Sequence, residues 1–376
     1  MTSERMRILH VQRVKGTGGS ERHLLFLLPA LAEAGVDVRM CVLLTGGGDQ
    51  FVQDLRAAGV EVTVRRAGPD VNPSLVAGLV SEIRSFRPHL VHTHLVHADV
   101  HGQLAASVTR VPGVSSVHDT LDFYRREPFH TAGRVVGRLA ARRIAISNYV
   151  ARYVERLHLA PPERVRTVHY GIDADGFARP GTERESARAD LGLTADTVAV
   201  GVASRLIPGK GHDVLIDGFA IAAGDNPNLR LLVVGDGEDR AALEARAERS
   251  CPAGTVQFFG FVHDIARFMN ACDAIAFPTQ PEYGEGFGLA ALEAMAAGRP
   301  LISTDSGPLP EINLDGVTGF VVPARSHSGF ARAITDLASD PPLRARLGDA
   351  GARRARESFS LDAMVGKTMA VYSELV

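Results

Sequence analysis

The stretch that decides the fold is PTQPEYGEGFGLAALEAMAAGRPLISTDSGPLPEI, residues 278–312. An apolar strand is predicted just before it, over 274–277, and a polar loop then carries Glu285 into Gly286-Phe287-Gly288. Leucines and alanines repeat at helical spacing after this loop, and the glycine at position 298 suits the left-handed residue that ends many helices. A further strand follows, so the stretch predicts a β-α-β unit of an α/β fold.

The entrance of this helix is suited to an anion. Gly286 and Gly288 let backbone N–H groups approach a ligand closely, and the amides and positive dipole of a helix N-terminus favour a phosphate. The carboxylates of Glu285 and Glu293 only accept hydrogen bonds, which suits a ligand with many hydroxyl donors, such as a sugar. The alternative is that Glu293 is simply an exposed residue of a structural helix.

The spacing of the two glutamates, with Gly-Phe-Gly after the first, resembles the E-x7-E element of the retaining glycosyltransferases of family 4. The resemblance implies that the first glutamate faces the donor sugar, that the second binds the ribose, and that the amides between them hold the diphosphate. The implied donor-binding residues here are Glu285, Gly286, Phe287, Gly288, Leu289 and Glu293. The run over 304–312 also resembles the family, but Pro308 replaces a common glycine and removes one backbone donor.

Length and composition limit the class of protein. A chain of 376 residues is long enough for two domains, and 45% hydrophobic with 22% charged residues is typical of a globular protein. A net charge of −2 provides no field that would attract nucleic acid. Three widely spaced cysteines indicate neither a disulfide framework nor a zinc motif. The N-terminus has no signal-peptide pattern and no run of about 18 apolar residues occurs, so we expect a cytoplasmic protein.

A strand over 7–12, a glycine-rich loop and an apolar helix over 23–34 open the chain. A dinucleotide-binding loop would have glycine or alanine where Glu21 stands, which disfavours a nicotinamide cofactor. A helix N-terminus that faces a phosphate is still compatible with the pattern. In the family, a GG-x-E loop contacts the donor phosphate; Gly18 and Gly19 match it, so the resemblance implies a donor contact there.

Strands and helices alternate over 36–145, which predicts a parallel sheet with helices on both faces. Ligands of such sheets bind beyond the carboxyl ends of the strands. His118 directly follows the predicted strand over 113–117 and therefore lies at such an end. It resembles the strand-ending histidine that lies beside the donor sugar in the family. The alternative is a histidine that hydrogen-bonds its own loop.

A group of histidines further suggests a polar site: His92, His94, His97 and His101. The alternation of the first two can place both imidazoles on one face of a strand. Only Asp99 has a spacing that could complete a ligand set, so we expect no metal. Polar residues often line the acceptor cleft here in the family. The candidate acceptor-binding residues are His94, His97, Tyr124 and Arg125.

The segment 125–143 contains six arginines against one acid. Arginines that repeat every four residues predict one face of a helix. The residues that can pack inward are Val135, Val136, Leu139 and Ala140. One interpretation is a solvated face. The other is contact with an anionic acceptor or with lipid headgroups, which would make the protein peripheral to the inner face of a membrane. The arginines of this predicted face are Arg134, Arg138 and Arg142.

The alternating pattern stops and then restarts in the middle of the chain. A Gly-Ile-Asp run at 171–173 resembles the family signature before the interdomain linker, and 174–188 are predicted to be that linker. The next strand leads to Arg205 and Lys210, which a Pro-Gly turn can bring together. Glycine follows this lysine, so the loop is not a Walker loop. Its resemblance to the family R-x4-K element implies two cations on the leaving diphosphate; the alternative is two surface cations.

The resemblance covers essentially the whole chain and implies the GT-B fold, in which two Rossmann-like, doubly wound parallel-sheet domains face each other across a cleft. We place the acceptor-binding domain at 1–175 and the donor-binding domain at 176–356. A terminal helix at 357–376 is expected to cross back to the first domain. Phe261 and Val262 follow another predicted strand, and the resemblance implies that they border the nucleobase.

The implied activity is that of a hexosyltransferase that moves a sugar from a UDP- or GDP-sugar to an acceptor hydroxyl with retention, forming an α-glycosidic bond. The implied catalytic residues are His118, Arg205, Lys210 and Glu285. No Asp-x-Asp with a suitable loop context is evident, so neither a metal nor a further cofactor is expected. The alternatives are a GT-B sugar-nucleotide epimerase without transfer activity and a noncatalytic sugar-nucleotide-binding subunit.

Overall fold

The structure is a computed structural model that describes residues 5–16, 18–68, 72–178 and 181–376. The prediction about a signal peptide falls partly on residues 1–4, which lie outside these ranges. Contacts divide the chain into two compact units. The N-terminal unit comprises Met1–Gly171 and Leu361–Val376, and the C-terminal unit comprises Ile172–Ser360.

The N-terminal unit alternates strands with helices. Its strands are β1 (Arg7–Val14), β2 (Asp37–Leu44), β3 (Glu61–Arg66), β4 (Leu90–His94), β5 (Gly113–Val117), β6 (Arg142–Ala145) and β7 (Val165–Thr167). Its first six helices are α1 (Gly19–Glu33), α2 (Asp49–Ala57), α3 (Pro73–Phe86), α4 (Val96–Thr109), α5 (Phe129–Leu139) and α6 (Asn148–Arg156). Over the described residues the strands form one parallel sheet in the order β3-β2-β1-β4-β5-β6-β7.

The C-terminal unit repeats the same alternation. Its strands are β8 (Val198–Ala203), β9 (Leu229–Val234), β10 (Val256–Gly260), β11 (Ala274–Phe277), β12 (Leu301–Thr304) and β13 (Gly319–Val322). Its helices are α7 (Gly181–Asp190), α8 (His212–Gly224), α9 (Arg240–Ser250), α10 (Ile265–Ala271), α11 (Leu289–Ala296), α12 (Leu309–Ile312), α13 (His327–Ser339) and α14 (Pro341–Ser358). The parallel sheet has the order β10-β9-β8-β11-β12-β13 in the described part of the unit.

The last helix, α15 (Leu361–Ser373), belongs to the N-terminal unit. Apolar residues on both faces of β1 explain why that sheet is covered on both sides. Ile8 joins a core with residues of α1 and α15, whereas Leu9 joins a second core with residues of α3 and α4. Buried Met364 and Tyr372 hold α15 in the first of these cores. The face of the sheet below α15 also carries the histidines described below.

The prediction of two doubly wound parallel-sheet domains is confirmed. The prediction of a linker over 174–188 is wrong in its second half, because α7 starts at Gly181. Residues 179–180 lie outside the described ranges. Arg184 and Arg188, one helical turn apart, both pair with Asp273 at 2.8 and 3.0 Å. These ion pairs fix α7 to the unit, which the polar composition of the segment did not indicate.

Candidate active site

The loop after β8 carries Arg205 and Lys210, and two glycines shape it. Gly209 and Gly211 have φ angles of 81° and 73°, in the left-handed region that favours glycine. A Cβ on Gly211 would lie 2.1 Å from the carbonyl oxygen of Pro278. The loop backbone therefore packs against the end of β11, which brings Lys210 close to the segment that contains Glu285.

Lys210 and Glu285 form an ion pair with 2.8 Å between Nζ and Oε2. The two side chains are 9% and 16% exposed, so water screens the pair only in part. Nζ also lies 3.9 Å from the ring centre of Tyr283, which is a cation–π distance. The Tyr283 hydroxyl accepts a 2.7 Å hydrogen bond from Nη2 of Arg205. Tyr283 thus connects the two cations, which the structure brings to one place as the sequence predicted.

The histidine at the start of α8 adds no positive charge to this cluster at neutral pH. Burial, and after it the charge of Lys210, lowers the pKa of His212 to about 4. Its Nε2 is 3.0 Å from the hydroxyl oxygen of Ser204. His212 is therefore a neutral neighbour that fixes the end of β8, while Arg205 and Lys210 remain the cations that can meet a phosphate.

Helix α11 begins after Gly288, whose φ of 98° again requires the left-handed region. Glu293, in the middle of this helix, is fully buried, so it is not an exposed residue of a structural helix. Phe287 is also buried and packs edge-on against Phe359, with 5.9 Å between the ring centres. Its side chain anchors the loop, so a ligand at the helix entrance would meet backbone at this position.

The run over 304–312 forms the end of β12, a turn and the short helix α12. Thr304 donates a 2.5 Å hydrogen bond to the carbonyl of Thr279 and so joins this run to the loop after β11. Pro308 immediately precedes α12 and has a φ of −84°. The proline is accommodated without strain, and the position has no backbone N–H to offer a ligand.

The loop after β10 presents an aromatic ring to solvent. Phe261 is 76% exposed, and Val262 beside it is half-buried. The Phe261 ring meets the ring of His263 edge-on, with 5.0 Å between the centres. An exposed aromatic face of this kind can stack on a planar ring, which fits the predicted contact with a nucleobase.

In the N-terminal unit, Gly18 precedes α1 and Gly19 begins it, and both are exposed. The carboxylate of Glu21 turns back and accepts a 2.9 Å hydrogen bond from the Gly18 amide. The same carboxylate accepts a 2.7 Å bond from the side-chain amide of Gln12. Glu21 therefore explains the fourth position of the GG-x-E element: it holds the loop, whereas the two glycines are the residues whose backbone is open to a ligand.

His118 lies at the end of β5, as predicted, but it belongs to a larger buried system. Hydrogen bonds join side chains of β1, β4, β5, the segment after β7 and α15 into one chain, which we call the histidine chain. Its members, in order, are Ser116, His92, Tyr372, His10, His94, His118 and Tyr170. Both ring nitrogens of His118 are used, Nε2 at 3.0 Å from Nδ1 of His94 and Nδ1 by the Tyr170 hydroxyl.

Burial controls the charge of these histidines. It lowers the pKa of His10 and of His118 to about 3. Burial is also the main cause that lowers the pKa of His92 and His94 well below the ordinary value, and neighbouring imidazoles add to it. At neutral pH the four rings are therefore uncharged, and each has one N–H donor and one bare nitrogen acceptor.

The geometry of a metal centre is partly present. One nitrogen each of His10, His92 and His94 lies within 4.8 Å of the others, and neutral imidazole is a good ligand for zinc or copper. However, the nitrogens of these rings already bond to one another or to hydroxyl groups. His97 and His101, the other two histidines of the sequence cluster, contact each other on α4 with 4.5 Å between the ring centres and an angle of 35° between the ring planes.

The candidate acceptor residues have little surface. His94, His97 and Tyr124 are 0%, 7% and 1% exposed, whereas Arg125 is exposed. His94 bonds within the histidine chain. Their role in acceptor binding stays a prediction, and in this structure Arg125 is the member of the set that solvent reaches.

The prediction of one arginine face is wrong in part. Helix α5 ends at Leu139, so Arg142 lies on β6, where its Nε donates a 2.6 Å bond to Glu374. Arg134 and Arg138 do share the exposed face of α5. Val135 and Leu139, expected to pack inward, are 47% and 38% exposed. Val136 and Ala140 are buried, as predicted. Gly133 and Gly137 share the interior face with Val136, so the buried face is centred on small residues and Val135 and Leu139 lie outside it.

Sequence reasoning missed the two tyrosines that organise these sites. Tyr283 joins the cations of the C-terminal unit, and Tyr372 joins two branches of the histidine chain. His10 was also missed. It lies in β1 directly opposite His92 in β4, and a parallel register between these two strands would have predicted this position. No sequence signal placed Tyr372, which is 362 positions from His10 in the chain.

Comparison with known proteins identifies the class. The family model described as Glycosyltransferase Family 4 matches residues 17–175, and the model described as Glycosyl transferases group 1 matches residues 183–354. A D-inositol 3-phosphate glycosyltransferase of Streptomyces scabiei (strain 87.22) is 33% identical over 402 residues, covering 97% of this chain and 88% of the relative. One of Mycobacterium bovis (strain BCG / Pasteur 1173P2) is 30% identical over 394 residues, covering 96% and 79%.

Solved structures show the same architecture. The Anabaena protein HepE in complex with UDP has a TM-score of 0.87 at 25% identity, covering 98% of this chain and 100% of that one. Its complex with UDP-glucose has a TM-score of 0.86 at 26% identity, covering 99% and 100%. Sucrose-phosphate synthase of Thermosynechococcus elongatus, with 22% identity, a TM-score of 0.84 and 99% coverage of both chains, shares the fold.

Two Rossmann-like parallel-sheet units of this kind define the GT-B fold, so the predicted fold class is confirmed. The matches to both family models and to relatives along nearly the whole chain go further. The chain belongs to the family 4 glycosyltransferases.

Proposed function

We propose that the protein transfers a sugar from a nucleoside diphosphate sugar to an acceptor hydroxyl with retention, forming an α-glycosidic bond. The observation that carries this proposal is the cluster of Arg205, Lys210, Tyr283 and Glu285 in the C-terminal unit. It combines two cations for a diphosphate with a carboxylate for sugar hydroxyls. The entrance of α11, behind Gly288, supplies backbone amides in the same segment.

The chemistry follows from where charge appears. The bond from the anomeric carbon to the β-phosphate oxygen breaks, the bond to the acceptor oxygen forms on the same face, and the departing phosphate takes the acceptor proton. Negative charge therefore grows on the phosphate as the sugar becomes oxocarbenium-like. Arg205 can bond two oxygens and Lys210 adds a point charge, so both stabilise the transition state more than the bound donor.

The ion pair with Glu285 prepares Lys210 for this role. The pair holds Nζ in one place before a donor arrives, so little reorganisation is needed when the phosphate binds. A bound donor would share Nζ with the carboxylate, and Glu285 would then turn its second oxygen to sugar hydroxyls. We propose that these protein cations act without a divalent metal. Excess chelator should leave transfer unchanged; activity that is lost with chelator and restored by magnesium would reject this part.

We propose UDP-sugars as donors. The solved structures of the Anabaena relative contain UDP and UDP-glucose. In this chain, the exposed ring of Phe261 offers a surface on which a uracil could stack. A thermal-shift series with UDP-, GDP- and ADP-sugars tests the base, because a ligand that binds only the folded state raises the melting temperature. A larger shift with GDP-sugars than with UDP-sugars would contradict the proposal.

We propose that the acceptor is a phosphorylated polyol. Several relatives are D-inositol 3-phosphate glycosyltransferases. In the N-terminal unit, Arg13, Arg65 and Arg66 line a cavity of about 660 Å³ at the carboxyl ends of β1 and β3. Glu82 pairs with Arg65 at 2.8 Å and offsets one of these charges, so the cavity keeps an excess of positive charge that suits a phosphate.

A kinetic comparison tests the acceptor class. Arg66→Gln should raise the KM for inositol 3-phosphate about tenfold or more and leave the KM for the donor unchanged. The matched control is Arg84→Gln, because this arginine is exposed on α3 in the same unit but does not line the cavity. Equal turnover of inositol and inositol 3-phosphate would contradict the proposal. Hydrolysed or epimerised donor without any transfer product would instead favour the epimerase alternative.

We also propose a cytoplasmic location with peripheral membrane contact through α5. Arg134 and Arg138 share its exposed face with Val135 and Leu139, and basic residues beside exposed apolar ones are typical of helices at a membrane surface. Sedimentation with vesicles that contain an anionic lipid should carry the protein down, whereas the double variant Arg134→Glu, Arg138→Glu should stay in solution. Equal binding of both proteins would reject this contact.

A further inference from the structure

The histidine chain has a property that the separate hydrogen bonds do not reveal. From Ser116 to His92 and from His92 to Tyr372 the distances are 2.7 Å. The Tyr372 hydroxyl is 3.4 Å from Nε2 of His10. Two bonds of 3.0 Å then lead from His10 to His94 and from His94 to His118. The bond between His118 and the Tyr170 hydroxyl completes the chain.

Every imidazole in this chain uses both nitrogens, one toward each neighbour. A neutral ring donates with one nitrogen and accepts with the other, and a hydroxyl can do both. From His10 to Tyr170 each ring bonds directly to the next, so the donors of this part must point in the same direction. The Tyr372 oxygen could accept from both of its neighbours, but its own buried hydrogen would then have no acceptor within the histidine chain. Every bond is made and this hydrogen is used only when the donors point in the same direction from Ser116 to Tyr170. If Ser116 donates at its end, all four histidines carry the proton on Nδ1. If Tyr170 donates at the other end, all four carry it on Nε2.

We propose that the histidine chain is a proton relay with two states, in which His10, His92, His94 and His118 change tautomer together. The change shifts one proton along each bond; a proton from water enters at one end and another leaves at the other, so the members stay neutral. Mixed tautomers would set two donors or two acceptors against each other between neighbouring rings, or would leave the buried Tyr372 hydrogen without an acceptor in the histidine chain. Either arrangement costs the free energy of an unmade buried hydrogen bond.

The relay gives a role to residues that act through His118 and would not touch substrate. His94 and Tyr170 are positioning residues, because they hold the two nitrogens of His118. Tyr372 extends the chain to α15, so the terminal helix is connected to the end of β5. A sugar hydroxyl that takes over one nitrogen of His118 would become the new end of the chain and would set the tautomer of all four rings. This last step rests on the proposed function and on the resemblance of His118 to the strand-ending histidine beside the donor sugar in the family.

The tautomers can be measured in the full chain labelled with 15N-histidine, by long-range proton–nitrogen correlation at pH 7. Ser116→Ala removes the partner of His92 Nε2. A buried N–H without an acceptor is rarer in proteins than an acceptor without a donor, so all four rings should move to the Nδ1–H form. Tyr170→Phe removes the partner of His118 Nδ1, and all four rings should move to the Nε2–H form. The internal control is His101.

His101 lies outside the chain and has fixed partners. Its Nε2 accepts from the amide of Asn72 and its Nδ1 donates to the carbonyl of His97, at 3.2 and 2.8 Å. It should remain Nδ1–H in every variant. A shift of His101 together with the others would show a general change of the unit and would overturn the relay.

Tyr372→Phe interrupts the chain in the middle and separates transmission from a local structural effect. In this background, Ser116→Ala should no longer change the tautomer of His118, whereas Tyr170→Phe should still change His10 and His94. The proposal fails if the four rings show mixed tautomers in the wild type, or if the tautomer of His92 does not respond to Tyr170→Phe. Stoichiometric zinc in the purified chain would also overturn it, because an ion takes a nitrogen from the rings it binds.

Addition of UDP-glucose tests separately whether a sugar hydroxyl at His118 sets the tautomers of the chain. It should change the tautomer of His92 in the wild type and leave His92 unchanged in Tyr372→Phe. If the tautomers are coupled in the free protein but do not respond to this donor, the relay is supported and the position of His118 beside the donor sugar is rejected. Absence of coupling in the free protein would reject the relay and leave the proposed transfer reaction untouched.

Discussion

The two units solve the problem of polar groups at a parallel sheet in opposite ways. In the C-terminal unit, Lys210 and Glu285 keep opposite charges and pair at the rim of the sheet, where each retains some exposure. In the N-terminal unit, His10 and His94 lie deep under α1 and α15 with no exposed surface, and burial keeps them neutral. Charge is kept where a ligand can use it and is lost where only protein surrounds the group.

The largest effect is expected from acidification, because a fall in pH acts directly on this difference between charged and neutral groups. Buried histidines that are neutral when folded take up protons on unfolding, so they stabilise fully above their unfolded pKa of 6.5 and less as pH falls toward the folded values of about 3. Two aspartates act in the opposite direction. Desolvation raises the pKa values of the buried Asp99 and the half-buried Asp119 to about 6, so in the folded state both take up a proton at higher pH than in the unfolded chain. They offset part of the loss between pH 6 and 3.8.

The balance favours the histidines in the N-terminal unit. The pKa values of five of them are lowered, namely those of His10, His23, His92, His94 and His118. With two aspartates against them, the unit takes up protons on unfolding between about pH 6 and 3.8, so it loses stability as the pH falls through this range. Hydrogen exchange followed by mass spectrometry should therefore show this unit losing protection on acidification before the C-terminal unit, in which His212 is the histidine with a lowered pKa among the described residues. Equal loss in both units would contradict the comparison.

The next effect tests the charged site. Lys210→Ala removes a preorganised cation from the place where phosphate charge grows, so turnover should fall by about 10²–10³. Lys210→Arg should restore part of it, since charge returns without the same geometry. Steady-state rates with saturating donor measure both. The stability of Lys210→Ala must be followed as a control, because Glu285 would lose its partner; a near-normal rate would reject the role of this lysine.

A smaller effect is expected at the connecting ring. Tyr283→Phe removes the hydroxyl that accepts from Arg205 but keeps the ring 3.9 Å from Nζ of Lys210. The turnover should fall about tenfold, in line with the loss of one hydrogen bond to a charged group. A double-mutant cycle with Arg205→Ala measures the coupling, and additive losses in the cycle would show that the tyrosine does not position the arginine.

The sequence predicted the alternation, the two parallel sheets and the carboxyl-end positions of His118, Arg205 and Lys210, because periodicity and glycine loops are local properties. It predicted the buried face of α5 less well, because the elements that pack against a helix determine which of its faces is buried. Tyr372 and Tyr283 could not be placed, because their partners are distant in sequence or lie in irregular loops. Local patterns indicate where a site lies; the residues that connect its members come from the tertiary packing.

The smallest expected effect provides the control for the charged site. Arg325 and Glu282 also form an ion pair, at 3.0 Å, and Glu282 is the residue before Tyr283, but their side chains are 68% and 52% exposed. Water and salt screen such a pair, so Arg325→Ala should change the free energy of unfolding by less than about 0.5 kcal/mol and the turnover by less than about twofold. Denaturant titration and the transfer assay measure the two quantities. A loss as large as that of Lys210→Ala would mean that any cation in these loops matters, and that partial burial beside Tyr283 does not distinguish Lys210.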